Sequence, residues 1–321
     1  MLLKLLISLF FIIIFSSAKI LIVNSYDEKD QCGVPQLNGF LYQMYSANYN
    51  PENFDIYFLN ARVTTKKELL KKAKSILKHL NRYESVITFD DAAFKLVGIP
   101  ASKAGKTVIF SGMNYPFEKY KQKYHLNDNI GGVYEKLYAK EILTMFNKIR
   151  PINKIALFYS DGVGEIVKNQ IVNELKNSTF EKKLDLFYIS TLQELKTKTI
   201  QVNKDPKYTL FIPLALSVKN DKGEKLPFYK AKDIYLKNIK KPDYGINVYF
   251  IKLGFLGFGG VDFFEMGKKA GEIFLNYKKT GNLRIVNAPK YHFYINSKRA
   301  KEINFKLPEW FVKNYLEDFI W

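Results

Sequence analysis

The sequence predicts an α/β fold made of two similar halves, each a parallel sheet flanked by helices. Two observations predict it: apolar runs of strand length alternate with amphipathic segments of helix length, and this alternation restarts near residue 134. Apolar residues make up 47% of the 321, which is enough to fill a sizeable core. The sequence shows no linker, low-complexity segment or tandem repeat.

The first half opens with KILIVNSY at 19–26, a continuous apolar run that ends in polar residues. Such a run is typical of a buried parallel strand with a loop at its carboxyl end. The segments that follow are a helix at 35–47, a strand at 54–60, a helix at 64–80, a strand at 84–91, a helix from about 92, a strand at 107–114 and a polar loop through 128. This order predicts a parallel sheet covered on both faces.

The second half repeats the alternation. Its predicted elements are helices at 134–149, 165–176, 191–201, 228–240 and 262–282, strands at 152–161, 184–190, 208–216 and 246–255, and an extended segment at 283–296. Gly281 is placed as a helix stop, because glycine adopts the left-handed conformation without strain. The aromatic, amphipathic tail from Pro308 is expected to form a helix docked on the body.

The N-terminus has the three-part pattern of a secretory signal. MLLKLLISLFFIIIFSSA carries one cation, Lys4, then an apolar run from Leu5 to Phe15, and small residues before a predicted cut after Ala18. The run is short for a membrane span, and an uncleaved N-terminal anchor is the alternative. The single Cys32 excludes an internal disulfide. We therefore expect a mature chain that is exported to the periplasm.

The chain is basic, with a net charge of +19 that comes mostly from lysine. Such a charge raises the question of nucleic acid or an anionic membrane as a partner. The lysines are spread along the whole length at helix-surface spacing, and no arginine-rich block stands out. We expect a solvated surface and no nucleic-acid partner. An adhesion protein that uses its charge is a less favoured alternative, with salt-dependent binding to anionic surfaces as its signature.

Catalytic signals are weak. His79, His125 and His292 are the only histidines, and none has the spacing of a zinc site. No Gly-x-Ser-x-Gly motif occurs. The glycine-rich stretch at 254–262 lacks both the dinucleotide-binding and the P-loop patterns, so a backbone bend between lobes explains it better. We expect no catalytic residue, no metal and no cofactor.

Polar residues recur just past the predicted strands. In open α/β sheets that edge is where ligands bind, and nearby aromatic side chains can supply apolar walls. The polar candidates are Ser25, Asp90, Asp91, Ser111, Asn114, Ser160, Asp161 and Ser217, and the aromatic candidates are Tyr26, Tyr115, Tyr134 and Phe255. At any one position, a helix N-cap is an equally good interpretation.

The adjacent pair Asp90 and Asp91 is predicted to have two different roles. Neighbouring residues on an extended chain point to opposite sides, so the two carboxylates do not easily address one atom. Asp91 precedes a helix start and is expected to be its N-cap. Asp90 ends the strand and is the better candidate for ligand contact.

In these segments the chain resembles the ABC transporter substrate-binding proteins of the tryptophan or tyrosine type. The resemblance covers most of the mature chain, and its specificity comes from the order and spacing of several weak motifs. They are ILIVNSY with the helix after it (20–45), VITFDDAAFKLV (86–97), VIFSGMNYP (108–116), GGVYEKLYAKEIL (131–143), INKIALFYSDGVGE (152–165), GFGGVDFFEMGKKAGEIFLNYKKTGN (257–282) and YHFYINSKRAKEINFKLPE (291–309).

The resemblance implies a two-lobed type I periplasmic-binding-protein fold with the ligand between the lobes. After a signal peptide at 1–18, lobe one would comprise 19–132 with 254–285, and lobe two 133–253 with 286–321. The cleft would be lined by the polar turns already named, with Tyr134 and Glu135 added at the hinge. The charged segment after Tyr26 and the Lys-rich stretch at 213–225 depart from what an aromatic ligand would favour.

The function that follows from the resemblance is capture of a small polar or amino-acid-like ligand by a monomeric, non-enzymatic protein. Closure of the lobes by a hinge motion would present the closed form to an ABC permease or to a membrane sensor. The sequence does not separate these two partners. The alternative function is a secreted α/β hydrolase or transferase that uses the cleft aspartates as acid and base.

Overall fold

A computed structural model describes residues 19–226 and 228–320, with side chains described except at 228–229 and 317–320. The predicted signal sequence at 1–18 and its cut after Ala18 lie outside the described residues. Among the residues described, no helix combines the length and the apolar composition that crossing a membrane requires.

The strands alternate with helices along the chain, as the sequence predicted. The strands are β1 (Lys19–Asn24), β2 (Phe54–Phe58), β3 (Tyr83–Phe89), β4 (Thr107–Met113), β5 (Ile130–Tyr134), β6 (Lys154–Tyr159), β7 (Leu184–Tyr188), β8 (Tyr208–Leu214), β9 (Gly260–Val261), β10 (Ile285–Asn287), β11 (Tyr291–Asn296) and β12 (Leu316–Ile320).

The helices cover the sheets between these strands. They are α1 (Gly33–Tyr45), α2 (Lys66–Leu77), α3 (Asp90–Ala93), α4 (Ile99–Lys103), α5 (Phe117–Tyr124), α6 (Ala139–Ile149), α7 (Val163–Leu175), α8 (Leu192–Lys204), α9 (Phe228–Asn238), α10 (Val248–Lys252), α11 (Phe263–Thr280), α12 (Ser297–Glu302) and α13 (Glu309–Tyr315). A π-helical turn at Phe94–Gly98 joins α3 to α4.

Two parallel sheets organise the molecule. The first has the order β10-β5-β4-β3-β1-β2, and the second has the order β7-β6-β8. A third, mixed sheet joins β9, β11 and β12. Both parallel sheets have a strand order that reverses direction next to their first strand, which creates a ligand-binding edge in open α/β folds.

The first sheet buries both faces, because successive side chains of a strand point to opposite sides. On β1, Ile20 and Ile22 join the core under α1 and α11, whereas Leu21 and Val23 join a second cluster under α2, α4 and α5. All four side chains are fully buried. Such continuous burial explains why β1 has an uninterrupted apolar sequence.

Helix α11 packs directly on α1, although the two helices are far apart in sequence. A Cβ at Gly39 would overlap the backbone carbonyl of Phe264, and a Cβ at Gly267 would overlap that of Gln36. The two glycines therefore allow the helix backbones to touch. As predicted, Gly281 ends α11 in the left-handed conformation, with φ of 74°.

Four predictions differ from the structure. The polar loop predicted through 128 contains the helix α5 (Phe117–Tyr124). The strand predicted at 246–255 is wrong: Asn247 accepts a hydrogen bond from the Tyr249 N–H and starts the short helix α10. A short apolar run does not distinguish a strand from a buried helix by periodicity alone. The predicted helix at 134–149 begins only at Ala139, because the preceding glycine-rich segment forms β5. The tail forms α13 as predicted and then continues as β12.

Candidate functional site

The polar turns after β1, β3, β4 and β5 lie together at the carboxyl edge of the first sheet. Ser25 follows β1 directly, and its backbone N–H donates to the Phe89 carbonyl at the end of β3. The Glu135 N–H, just past β5, donates to the Met113 carbonyl at the end of β4. The strand order therefore places the side chains that follow these four strands side by side.

Asp90 is the residue around which this edge is built. Its carboxylate accepts hydrogen bonds from the Tyr26 hydroxyl at 2.5 Å and from the Asp91 N–H at 2.7 Å. Its backbone is left-handed, with φ of 71°, although it is not a glycine. Left-handed backbone at a non-glycine residue costs free energy and is concentrated at functional sites. Asp90 is only 8% exposed.

Asp91 does not act as the predicted N-cap. Its carboxylate accepts from the backbone N–H groups of Asn114 at 3.0 Å and Tyr115 at 3.3 Å, and from the Tyr120 hydroxyl at 3.4 Å. It therefore holds the loop between β4 and α5. The capping contact to α3 comes from Ser25, whose hydroxyl accepts from the Ala93 N–H at 2.8 Å.

Glu135 connects the two sheets' loops. Its carboxylate accepts a hydrogen bond from the Asn114 side-chain amide at 2.9 Å. The side chain of Asn247, at the start of α10, lies close enough to lower the pKa of Glu135. The Glu135 residue is 4% exposed, and its own carbonyl accepts from the Gln170 amide on α7. A single buried carboxylate thus binds the loop after β4 and lies beside the α10 segment.

Arg62 forms a second connection that the sequence analysis missed. Its guanidinium lies 4.1 Å from the ring centre of Tyr26 and 4.2 Å from that of Tyr249, so it is stacked between the two. It also pairs with Asp30 at 3.1 Å and keeps about a third of its side chain exposed (32%). Arginine stacks on aromatic faces better than lysine does. The one available signal was a lone arginine in a Lys-rich region.

Burial raises the pKa values of these carboxyl groups. Burial, followed by repulsion from Asp91, raises the pKa of Asp90 to about 7 despite the Tyr26 hydrogen bond. Burial, followed by repulsion from Asp90, raises the pKa of Glu135 to about 8. Burial also raises the pKa of Asp91, against its hydrogen bonds from Asn114 and Tyr115. The edge therefore favours neutral carboxyl groups unless a cation offsets their charge.

The other first-half candidates hold the edge in place. The hydroxyl of Ser111 is fully buried and donates to Gln36 at 2.9 Å. The Tyr134 hydroxyl accepts from the Phe117 N–H at 2.6 Å and so anchors the start of α5. Both side chains are positioned by these bonds and are half or fully buried.

The second-half candidates lie at the carboxyl edge of β6 and β8. The hydroxyl of Ser160 accepts from the Ser217 N–H at 3.4 Å, which joins the two turns. Asp161 is exposed and accepts from the Tyr188 hydroxyl at 2.9 Å. Phe255 is different: it is fully buried and packs against the rings of Tyr235 and Phe250. We therefore leave Phe255 out of the proposed site.

A cavity of about 650 Å³ lies beside the Arg62 stack. Its lining includes Asp27, Asp30, Phe58, Arg62, Tyr249 and Lys252. Residues from the loops after β1 and β2 and from α10 thus share one concave surface. Among the described residues, no group of three or more His, Cys, Asp or Glu side chains is arranged to hold a metal ion.

Solved structures show which fold this is. The chain is similar to the ABC domain in complex with L-Trp from Streptococcus pneumonia, with a TM-score of 0.65 and 17% identity over 95% of this chain and 100% of that one. It is also similar to a conserved domain protein from Vibrio cholerae, with a TM-score of 0.65 and 13% identity over 94% of this chain and 99% of that one.

A third similar structure is a ligand-free, open substrate-binding protein with adhesive properties from Clostridium difficile. It has a TM-score of 0.62 and 14% identity over 94% of this chain and 99% of that one. No family model matches the chain, and no curated protein matches it. At these identities the likeness shows the fold: the chain has the two-lobed type I periplasmic-binding-protein architecture that the sequence predicted.

Proposed function

We propose that this protein is a solute-binding protein that captures a small polar ligand between its two lobes. The observation that carries the proposal is the meeting of buried polar side chains from both lobes at one cleft. Glu135 accepts a hydrogen bond from Asn114 on one side and lies beside Asn247 on the other, and Arg62 stacks on Tyr249 across the same gap. Polar groups converging in a cleft between lobes are the usual form of a small-molecule site.

The proposed lobes follow the predicted division, 19–132 with 254–285 and 133–253 with 286–321, with one adjustment. Gly257 bridges Ile295, and Asp243 accepts from the backbone N–H groups of Leu256 and Gly257. These contacts attach residues 255–261 to lobe two. We therefore move the proposed second crossing to residues 261–262, just before α11 returns to α1.

The proposed ligand contacts are the polar side chains that line the cleft from both lobes. From the sequence candidates they are Tyr26, Asp90, Asn114, Glu135, Ser160, Asp161 and Ser217, with Arg62, Asn247 and Tyr249 added from the geometry. Ser25, Asp91, Ser111 and Tyr134 support them, because their hydrogen bonds fix the loops that carry the contact residues.

The proposed partner is a membrane protein that recognises the closed form, either an ABC permease or a membrane sensor. Closure would follow ligand binding if the closed state binds the ligand more tightly than the open one. The signal pattern at 1–18 supports a protein that works in the periplasm after cleavage at Ala18, and we propose that it works there as a monomer.

The geometry gives no specific support for the enzyme alternative. A carboxylate dyad needs both groups at one reacting atom, and Asp91 is occupied by the loop between β4 and α5. The two carboxylates therefore have separate structural partners. We propose that the protein catalyses no reaction in this cleft.

Thermal unfolding of the purified mature chain tests the proposed function. A screen against amino acids, amines, sugars and organic acids should contain a compound that raises the melting temperature. A ligand present at about 100 times its Kd adds about 2.7 kcal/mol to the free energy of unfolding. Turnover of a screened compound without any stabilising ligand would contradict the proposal.

A further inference from the structure

The proposed cleft carries more negative than positive side chains. Asp30, Asp90, Asp91 and Glu135 lie close enough to influence one another or the same neighbours, whereas Arg62 is the guanidinium that acts on this group. Lys95 also acts on Asp91, from the helical turn behind it. In the described part of the chain, no Lys or Arg forms an ion pair with Asp90, Asp91 or Glu135.

Arg62 does not fill this gap, because its ion pair is with Asp30 and not with Asp90 or Glu135. Its Nε lies 3.1 Å from Asp30, which is itself 5% exposed at its side chain, and both of its faces are covered by tyrosine rings. The deeper carboxyl groups, Asp90 and Glu135, keep hydrogen bonds only from neutral donors.

A buried hydroxyl near Asn247 is an independent observation at the same place. Tyr294 is 5% exposed, and its hydroxyl has no hydrogen-bond partner. The position that a Cβ would occupy on Gly260 lies 2.8 Å from the Asn247 Cα and closer still to this hydroxyl. Asn247 in turn lies beside Glu135, whose pKa it lowers. A buried hydroxyl without a partner is costly, so this one is a candidate for ligand contact.

Asn114 adds a second unused acceptor. Its amide nitrogen donates to Glu135, but its side-chain oxygen is inaccessible to solvent and has no partner. The groups around Glu135 that still need a partner are therefore acceptors, or a hydroxyl that can accept. A ligand that satisfies them must bring hydrogen-bond donors and positive charge.

We propose that the cleft binds an organic cation, a primary ammonium or an amidinium placed against Glu135 and Asp90, on a molecule without a carboxylate. This inference rests on the proposed solute-binding function and narrows it to a ligand class. A charged donor placed there offers hydrogen bonds to Glu135 and to the unpartnered Asn114 oxygen beside it. Charge-assisted hydrogen bonds of this kind are about twice as strong as neutral ones. A zwitterionic amino acid would bring a carboxylate into a site that repels it.

Matched pairs of amines and their parent amino acids test the proposal. Titration calorimetry at pH 8 compares tyramine with tyrosine, tryptamine with tryptophan, agmatine with arginine, cadaverine with lysine, putrescine with ornithine and histamine with histidine. The members of a pair differ only in the carboxylate. We expect at least one amine to bind, and to bind at least about tenfold more tightly than its parent, a difference of about 1.4 kcal/mol.

Two substitutions link that binding to the site. Glu135→Gln keeps the size and polarity of the side chain but removes its charge. It should weaken binding of the amine by about tenfold, because a charge-assisted hydrogen bond becomes a neutral one. Glu165→Gln, on the exposed face of α7, is the matched control and should leave the affinity unchanged. If Glu135→Gln does not fold, the same comparison with Tyr294→Phe removes the orphaned hydroxyl and leaves the core shape intact.

The outcomes separate this inference from the proposed function. An amino acid that binds more tightly than its amine, or a sugar or acid that binds while all six amines fail, overturns the cation proposal and leaves the solute-binding function standing. Failure of every compound in the wider screen overturns both. An amine that binds equally well to Glu135→Gln and to Glu165→Gln overturns the cation proposal alone, since the cation would then lie elsewhere.

Discussion

At the scale of single residues, the adjacent aspartates show where sequence reasoning succeeds and fails. The sequence predicted that the two carboxylates have separate roles, and they do have separate partners, Tyr26 for Asp90 and the loop after β4 for Asp91. It did not predict the left-handed backbone at Asp90, which removes the N-cap geometry from Asp91. Backbone conformation at one residue depends on tertiary contacts that a local pattern does not contain.

Asp91→Ala should destabilise the fold by about 1–3 kcal/mol, because the N–H groups of Asn114 and Tyr115 lose their acceptor. Chemical denaturation measures the loss. The control is Asp128→Ala, whose side chain is 91% exposed and pairs only with Lys121, and which should change stability by less than about 0.5 kcal/mol. Equal effects of the two substitutions would show that Asp91 does not hold the loop.

The buried carboxyl groups predict a pH dependence of stability. Folding raises the pKa of Glu135 to about 8 and that of Asp90 to about 7, so the folded state prefers their protonated forms. Their contribution to the free energy of unfolding is therefore fully present at acid pH, below their unfolded pKa values of about 4, and is lost as the pH rises to about 8.

Glu135→Gln removes one of these groups and should flatten the fall in stability between about pH 5 and pH 8. Denaturation curves at several pH values, compared with Glu165→Gln, measure the difference. The variant should be more stable than the natural chain at pH 8 in the absence of ligand, since no buried charge has to form. Parallel pH profiles for all three proteins would contradict this account.

At the scale of elements, long periodic helices and continuous apolar strands were predictable, and short segments were not. Helix α11 was predicted at 262–282 with Gly281 as its stop and is observed at Phe263–Thr280, where Asp262 also caps its start. Helix α10 and strand β5 were missed, since five residues carry too little periodicity to decide between the two structures. The packing of the neighbouring loops determines whether such short segments form a helix or a strand.

The close contact of α1 and α11 gives an element-scale prediction. Gly39→Ala should destabilise by about 1–3 kcal/mol, because the added methyl group meets the Phe264 carbonyl. The same change at an exposed helix interior would stabilise by about 1 kcal/mol, so the sign of the effect is diagnostic. Thermal unfolding measures it, with Asn38→Ala on the exposed side of α1 as control. A more stable Gly39→Ala variant would show that the helices do not touch there.

At the scale of the whole molecule, the fold was the most predictable property. The alternation of strands and helices and its restart in the second half predicted two parallel sheets, and the structure and its similar solved structures confirm the two-lobed fold. The cross-lobe contacts were not predictable. Arg62 meets Tyr249, and Asn114 meets Glu135, only where the two proposed lobes face each other. Nothing in their local sequence marks them.

The central claim is that one ligand contacts both lobes, and titration calorimetry with the ligand that the screen identifies tests it most directly. Asn114→Ser on lobe one and Asn247→Ser on lobe two each remove an amide next to Glu135, while serine can still cap α10. Each should raise the Kd by about tenfold, and the exposed control Asn38→Ser should not. An unchanged Kd in either cleft variant would mean that the ligand does not bind between the lobes.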